Sequence, residues 1–235
     1  VDWYNGGMEH TARHLLYARF WVQFLYNIGL VPNKEMIWTR VSHGMILGSN
    51  GEKMSKRKGN VINPDDMVRD YGADALRVYE MFIGDYTKDA SWSESGLKGC
   101  NKFLNRIWNL QNRLNNNDGY TSSIESLINK TIKKVGDDIL SMNYNTAVSS
   151  LMILLNDMDK LPSITKSDYR VLLHLLNPIA PHITEELNEI NNLGDEFSSS
   201  PWPTYDSSKL LESSIEIGVQ VNGKLRGTIV VDKDM

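Results

Sequence analysis

Two lysines three positions apart lie in a loop that has glycine at both ends. Lys53 and Lys56 belong to the run Gly-Glu-Lys-Met-Ser-Lys-Arg-Lys-Gly-Asn at residues 51–60, in which Met54 and Ser55 separate them. Ammonium groups at this spacing on a hinged loop can close over a polyphosphate and neutralise the charge that develops on a departing pyrophosphate. An ordinary solvated basic loop is the alternative that the residues alone leave open. The pattern therefore indicates a candidate segment for activating a substrate with ATP.

A second pattern places two glycines at the start of a helical segment. Gly6 and Gly7 follow a short extended run, and Glu9 and His10 come directly after them. Glycine lets a ligand approach the backbone at a helix N-terminus, and a carboxylate in the first turn can accept hydrogen bonds from a ribose. A plain tight turn, with Glu9 complementing the helix dipole, is the commoner explanation when such residues occur alone.

His10 and His14 are four positions apart, so a helix would place both on one face and a zinc site has to be considered. Their order is Glu-His-x-x-x-His rather than His-Glu-x-x-His, and Cys100 is the single thiol of the chain. A zinc site normally needs further ligands of these types nearby. We therefore predict no metal site, and favour a hydrogen-bonded core position for one of the two histidines.

A third pattern is a basic stripe on the helix predicted from residue 97. On a helical wheel its cations fall within an arc of about 80°, opposite the apolar residues Cys100, Phe103, Leu104, Ile107, Leu110 and Leu114. The stripe consists of Lys98, Lys102, Arg106 and Arg113. With no acid between them on this helix, these cations could follow a phosphate backbone, and a plain solvent-exposed face is the alternative.

Composition and charge exclude several classes of protein. With 235 residues and 41% hydrophobic side chains, the chain can bury one or two cores, so disorder is excluded. No apolar run is long enough to span a membrane and no signal peptide is visible, which leaves the cytoplasm as the expected location. The net charge of −4 argues against non-specific wrapping of nucleic acid. Between Lys34 and Lys58, however, the chain has six basic residues and only two acidic ones. This is the stretch in which we expect anions to bind.

The pattern of elements predicts an α/β part followed by a mainly α part. The first part contains strands near residues 2–4 and 44–48 and helices over 9–28, 63–71 and 74–83. Helices over 97–116, 124–141, 144–160, 166–176 and 179–191 then predict an up-and-down bundle. After a linker rich in serine and proline at 198–203, two alternating runs flank Asn222-Gly223, a strong hairpin signal. We therefore predict domains at 1–96, 97–195 and 196–235, the last holding the linker and the β-hairpin.

These motifs, in this order, resemble the leucyl branch of the class I aminoacyl-tRNA synthetases. Lys-Met-Ser-Lys resembles the second signature motif of the class, with Arg57 where serine is usual. Gly-Gly-x-Glu-His and then His-Leu-Leu-Tyr-x-Arg-Phe at 14–20 resemble the leucyl branch. The stretch at 176–187 resembles a bundle helix that the leucyl, isoleucyl, valyl and methionyl enzymes share.

The resemblance implies a fold, a set of roles and a set of partners. The first part would be the second half of a Rossmann-type nucleotide fold, followed by an anticodon-binding-type bundle. Lys56 would contact the phosphates with Lys53 assisting, and Met54 would pack the loop down. Gly6, Gly7 and Glu9 would line the adenosine site, with His10 and His14 near the amino-acid pocket. The partners would be leucine, tRNA(Leu) and ATP with its Mg²⁺, in a monomeric enzyme.

The His-x-Gly-His signature of the same class is absent from this sequence. We therefore expect the chain to be an excised part of a longer enzyme and to be unable to activate leucine alone. Two alternatives stay open: a non-catalytic helical module that binds tRNA, and a part of a valyl, isoleucyl or methionyl enzyme.

Overall fold

The computed structural model describes residues 1–210, 214–221 and 224–232. The chain divides into two compact units, and the boundary falls inside one long helix. The first unit comprises Val1–Asn101 with Met142–Asn145, and the second comprises Lys102–Ser141 with Thr146–Met235.

The first unit begins with a βαβ arrangement. Strand β1 (Trp3–Gly7) leads to helix α1 (Leu16–Asn27), and strand β2 (Thr39–His43) returns parallel to β1. The register pairs Gly6 with Ser42 and Gly7 with His43. Both strands therefore end at the same edge, the edge at which ligands bind in open parallel sheets. The sequence did not predict β2, because five residues with four polar side chains carry too little alternation to indicate a strand.

The helix expected from residue 9 does not begin there. Met8–His10 form a 3₁₀ turn and Thr11–Leu15 a π-helical turn, and the α-helix starts only at Leu16. Apolar spacing over a single turn does not distinguish these hydrogen-bonding patterns, so the sequence could not separate them. No residue of α1 is buried, and six of its large apolar or aromatic side chains are exposed: Leu16, Tyr17, Phe20, Trp21, Phe24 and Tyr26.

The rest of the first unit surrounds a small aromatic core. Strand β3 (Ile46–Leu47) pairs in parallel with β4 (Ala90–Ser91), and α2 (Pro64–Tyr71), α3 (Ala73–Phe82) and the start of α4 (Glu94–Leu110) complete the unit. The Asn63 side chain caps α2 by accepting from the Asp65 N–H, as its sequence position predicts. Tyr79 and Trp92 meet edge to face with ring centres 4.9 Å apart, and both are buried.

The second unit is mainly helical, and its predicted helices are confirmed to within a few residues except at one end. The helix predicted over 97–116 ends at Leu110, a 3₁₀ turn (Gln111–Arg113) follows, and Leu114 begins a strand. The unit contains α5 (Glu125–Leu140), α6 (Tyr144–Lys160), α7 (Lys166–Leu176) and α8 (Pro181–Asn191). A two-residue parallel pair, β5 (Leu114–Asn115) with β6 (Ile164–Thr165), was not predicted. Thr165 and Asp168 form a capping box at the start of α7, and the buried Asp168 carboxylate also accepts from Thr121.

Strands β7 (Ser214–Val221) and β8 (Lys224–Asp232) pair antiparallel, with an irregularity between Val219 and Gln220. The predicted turn residues Asn222 and Gly223 lie outside the described residues. In the described part of the chain, no helix has both the length and the apolar character needed to cross a membrane.

Candidate nucleotide-binding site

A pocket of about 570 Å³ lies where β1 and β2 end. Its lining comes from three segments of the first unit: Gly7, Met8, Glu9, Ser42, His43, Gly44, Met45, Thr87 and Asp89. Two predicted residues, Gly7 and Glu9, are in this lining, whereas Gly6 and His10 are not among the lining residues. Polar groups that converge on a pocket at the carboxyl ends of parallel strands are typical of a ligand site.

The loop that carries Lys53 and Lys56 (residues 51–60, the lysine loop) contacts this pocket at Glu9. The Nζ of Lys53 donates to Glu9 Oε1 at 2.5 Å, although the two residues are 44 positions apart. That hydrogen bond is the main reason why the pKa of Glu9 falls below its ordinary value, followed by a backbone hydrogen bond and the charge of Lys53. Both side chains are more than half exposed, and an ion pair of this kind contributes little to stability. Lys53 can therefore leave Glu9 for a phosphate at small cost.

The second lysine of the loop is available for a ligand. Lys56 opens a short 3₁₀ turn, Lys56–Lys58, which Gly59 ends in a left-handed conformation (φ 66°). Among the described residues, the exposed Lys56 side chain makes no ion pair or side-chain hydrogen bond. Lys58 differs, because its ammonium pairs with Glu52 at 2.8 Å. Ser55 accepts from the Lys58 N–H at 3.3 Å, and Met54 is half-buried.

Arg40 belongs to the basic stretch from Lys34 to Lys58, but the sequence assigned it no role in this site. Its guanidinium donates to the Gly7 carbonyl at 3.1 Å and to the Ser42 hydroxyl at 2.6 Å, so it ties the ends of both strands together. Its Nε is buried and has no partner within the described residues. Its membership of that basic stretch does not predict this role, because only the β1–β2 pairing brings Gly7 beside it.

Gly44 is a second residue that the sequence did not assign to the site. Its N–H donates to the Tyr86 carbonyl at 2.9 Å, and a Cβ at this position would lie 1.9 Å from the Lys88 carbonyl oxygen. Next to it, the Met45 N–H donates to Asp89 Oδ1 at 2.6 Å. Residues 43–46 thus pack directly against the backbone of 86–90, and only glycine fits at position 44.

The rings of the two histidines lie beside each other. The rings of His10 and His14 are 6.2 Å apart edge to face, and His14 stacks on Tyr4 at 5.8 Å. Within the described residues, no group of three or more histidine, cysteine or acidic side chains could hold a metal ion. Both histidines are exposed, so neither has the core position that the sequence favoured for one of them.

The four cations of the basic stripe differ in their ionic contacts. Lys98 pairs with Glu94 at 2.9 Å in the first unit. In the second unit, Arg106 and Arg113 each place an Nη2 2.6 Å from a different oxygen of Asp159 in α6. Arg113 also donates to the carbonyl oxygens of Asp159 and Leu161, so it caps the end of α6. Lys102 is exposed and, among the described residues, carries no such pair.

Two families of known proteins match different parts of this chain. Residues 14–93 match the class I tRNA synthetases of the I, L, M and V group, and residues 122–235 match the anticodon-binding domain of tRNA ligases. A leucine–tRNA ligase of Alkaliphilus oremlandii (strain OhILAs) is 53% identical over 234 residues, which cover 100% of this chain and 29% of the relative.

A solved structure resembles the whole chain as well. It is the ternary complex of a LeuRS of Agrobacterium radiobacter with tRNA and LeuAMS, with a TM-score of 0.80 and 29% identity. The match covers 100% of this chain and 33% of that one, so the chain spans about a third of the length of the proteins it matches. The chain is therefore homologous over its whole length to a segment of leucine–tRNA ligase, and its residues 14–93 match the class I tRNA synthetases.

Proposed function

We propose that the chain is part of an enzyme that activates leucine with ATP as leucyl-adenylate and then transfers it to tRNA(Leu). The observation that carries this proposal is the contact of Lys53 with Glu9 at the pocket, because it joins the two separate motifs in one place. The leucine–tRNA ligase relative and the tRNA complex of the structural neighbour support it. A lysine loop distant from the Gly6-Gly7 turn would have contradicted it.

Each site residue has a role in this proposal. The Gly6-Gly7 turn lets the adenosine approach the backbone, and Glu9 accepts from the ribose hydroxyls once Lys53 has moved to the phosphates. Lys56 neutralises the pyrophosphate as it leaves, Met54 and Ser55 set the turn that presents it, and Mg²⁺ arrives with ATP. His10 lies toward the amino-acid side.

The domains have roles as well. The β1–α1–β2 unit belongs to the second half of a Rossmann-type fold within residues 1–96. Residues 97–195 bind tRNA, and residues 196–235 begin a further domain. The cytoplasm is the proposed location.

The exposed apolar face of α1 favours a fold in which other segments of a longer enzyme pack against this helix. Those segments would complete the catalytic domain. Leu16, Tyr17, Phe20 and Trp21 are each more than half exposed, and apolar patches of this kind mark interaction surfaces. We therefore expect no pyrophosphate exchange with leucine and ATP by the isolated 235-residue chain, and full exchange by the enzyme that contains it. Measurable exchange by the chain alone would contradict this expectation.

A non-catalytic tRNA-binding module is the competing function. The two proposals differ in their response to nucleotide, which tryptophan fluorescence can report, because Trp3 and Trp38 lie on or beside the two strands that lead to the pocket. We expect ATP to change the fluorescence of the full-length enzyme and to do so with saturation. A flat titration, together with intact tRNA binding, would favour the module.

We expect Lys102 to contribute to tRNA binding and Arg113 to stability. Lys102→Glu should weaken tRNA binding and lower the slope of log affinity against log salt by about one, with an unchanged melting temperature. Arg113→Ala should destabilise the enzyme by about 1–3 kcal/mol, since Asp159 Oδ1 and two carbonyl groups lose this donor while Arg106 still pairs with Asp159 Oδ2. Filter binding at several salt concentrations and thermal unfolding test both variants. An unchanged slope for Lys102→Glu would remove this residue from the interface.

A further inference from the structure

The side chain of Asn60 bridges the backbone on both sides of Met54. Its Oδ1 accepts from the Ser55 N–H at 2.9 Å, and its Nδ2 donates to the Lys53 carbonyl at 3.4 Å. Asn60 lies outside the Lys-Met-Ser-Lys run and is half-buried, whereas both lysines are exposed. One amide therefore holds the segment that joins the two lysines.

The position of this amide is fixed from the other side by Gly48. A Cβ on Gly48 would lie 2.9 Å from Asn50 Oδ1 and 3.0 Å from Asn60 Nδ2, so the Asn60 amide and the Asn50 amide both pack against this glycine. Gly48 is buried and follows β3 directly, and its N–H donates to the Glu52 carbonyl at 2.8 Å. The contacts of Asn60 thus connect the lysine-bearing loop to the end of strand β3.

We propose that Asn60 is a positioning residue for adenylate formation, because its amide sets the backbone curvature that presents Lys53 and Lys56 together to the triphosphate. The inference rests on the proposed function of this site. Charged groups stabilise a transition state only if they are already in place when the charge develops, so a loop that loses its bridge has to be ordered in each catalytic cycle.

The same loop offers a matched control in Asn50. Its side chain also makes two hydrogen bonds, to the Glu52 N–H at 3.1 Å and to the Glu52 carboxylate at 3.3 Å. Asn50 is exposed and lies before both lysines, so its contacts do not set the backbone between them. A general loosening of the loop would affect both asparagines, whereas positioning of the lysines depends on Asn60.

The experiment compares Asn60→Ala, Asn60→Asp, Asn50→Ala and Lys56→Ala in the full-length enzyme by leucine-dependent pyrophosphate exchange. We expect Asn60→Ala to lower kcat by about tenfold or more, with a smaller change in the KM for ATP, since two hydrogen bonds that order the loop are lost. Asn60→Asp keeps the acceptor for Ser55 and should recover part of the rate. Asn50→Ala should stay within about threefold of the parent enzyme, and thermal unfolding verifies that all variants are folded.

The outcomes separate the inference from the proposed function. Loss of activity in Lys56→Ala with normal kcat in Asn60→Ala would overturn the positioning role and leave the function intact. Equal losses in Asn60→Ala and Asn50→Ala, or no recovery in Asn60→Asp, would also overturn that role. Normal activity in Lys56→Ala would instead contradict the assignment of the whole loop.

Discussion

Lys56→Ala in the full-length enzyme is expected to slow adenylate formation by about 100- to 1000-fold, the usual cost of removing one preorganised charge from a transition state. In the described part of the chain Lys56 makes no ion pair, so its charge is not committed to the fold. The loss should therefore appear in kcat for pyrophosphate exchange, with little change in melting temperature. The affinity for tRNA should stay nearly unchanged.

Lys58→Ala is the matched control for this prediction. It removes the same charge from the same turn, but the Lys58 ammonium is paired with Glu52 rather than free. We expect a loss of less than about tenfold, because an exposed ion pair contributes little and the phosphates still meet Lys56 and Lys53. A loss under threefold in Lys56→Ala, or equal losses in the two variants, would contradict the assignment of Lys56.

The contact between Lys53 and Glu9 has a consequence for the order of events at the site. Glu9 is the proposed ribose acceptor, and in this structure its carboxylate holds the ammonium that would bind the phosphates. One nucleotide can engage both groups only if the pair separates as it binds. We therefore expect the pair to hold Lys53 at the pocket before ATP binds and to separate when it does, at a cost that its exposure keeps small.

Local signals predicted the helices of this protein well. Asn63-Pro64 marks the start of α2, and Gly72, at φ 88°, marks its end. The apolar side of α4 was predicted from its spacing, and Cys100, Phe103, Leu104, Ile107 and Leu110 are buried as expected, whereas Leu114 lies beyond the helix in β5. Each of these features depends on residues within a few positions of one another, so the sequence is sufficient to predict them.

Features that depend on distant pairing could not be predicted in the same way. Strand β2 is recognisable only from its register with β1, and the contacts of Arg40 with Gly7 exist only in that register. The basic stripe has the same limitation, because Asp159 of α6 neutralises Arg106 and Arg113 from outside their helix. A wheel of one helix gives the direction of a side chain but not the partner that it meets.

The second large effect is expected from Gly44→Ala. The new Cβ would lie 1.9 Å from the Lys88 carbonyl oxygen and 2.7 Å from the Asp89 nitrogen, which are backbone atoms and cannot rotate away. Residues 43–46 or 86–90 have to shift, and both segments line the pocket. A displacement of about 1 Å at a reacting site can lower the rate about 100-fold. We expect a loss of that size in pyrophosphate exchange, and a destabilisation of about 2–4 kcal/mol in thermal unfolding.

Gly99→Ala provides the control, because it adds the same methyl group elsewhere in the same unit. Gly99 lies on the exposed side of α4, and a Cβ there would meet nothing within 4 Å. Alanine is a better helix former than glycine by about 1 kcal/mol, so this variant should be as stable as the parent enzyme or slightly more so, with normal exchange. If Gly44→Ala also keeps normal exchange, the adenylate does not depend on the geometry of residues 43–46. The nucleotide site then cannot be this pocket, because the displaced backbone would change the contacts of any ligand bound in it.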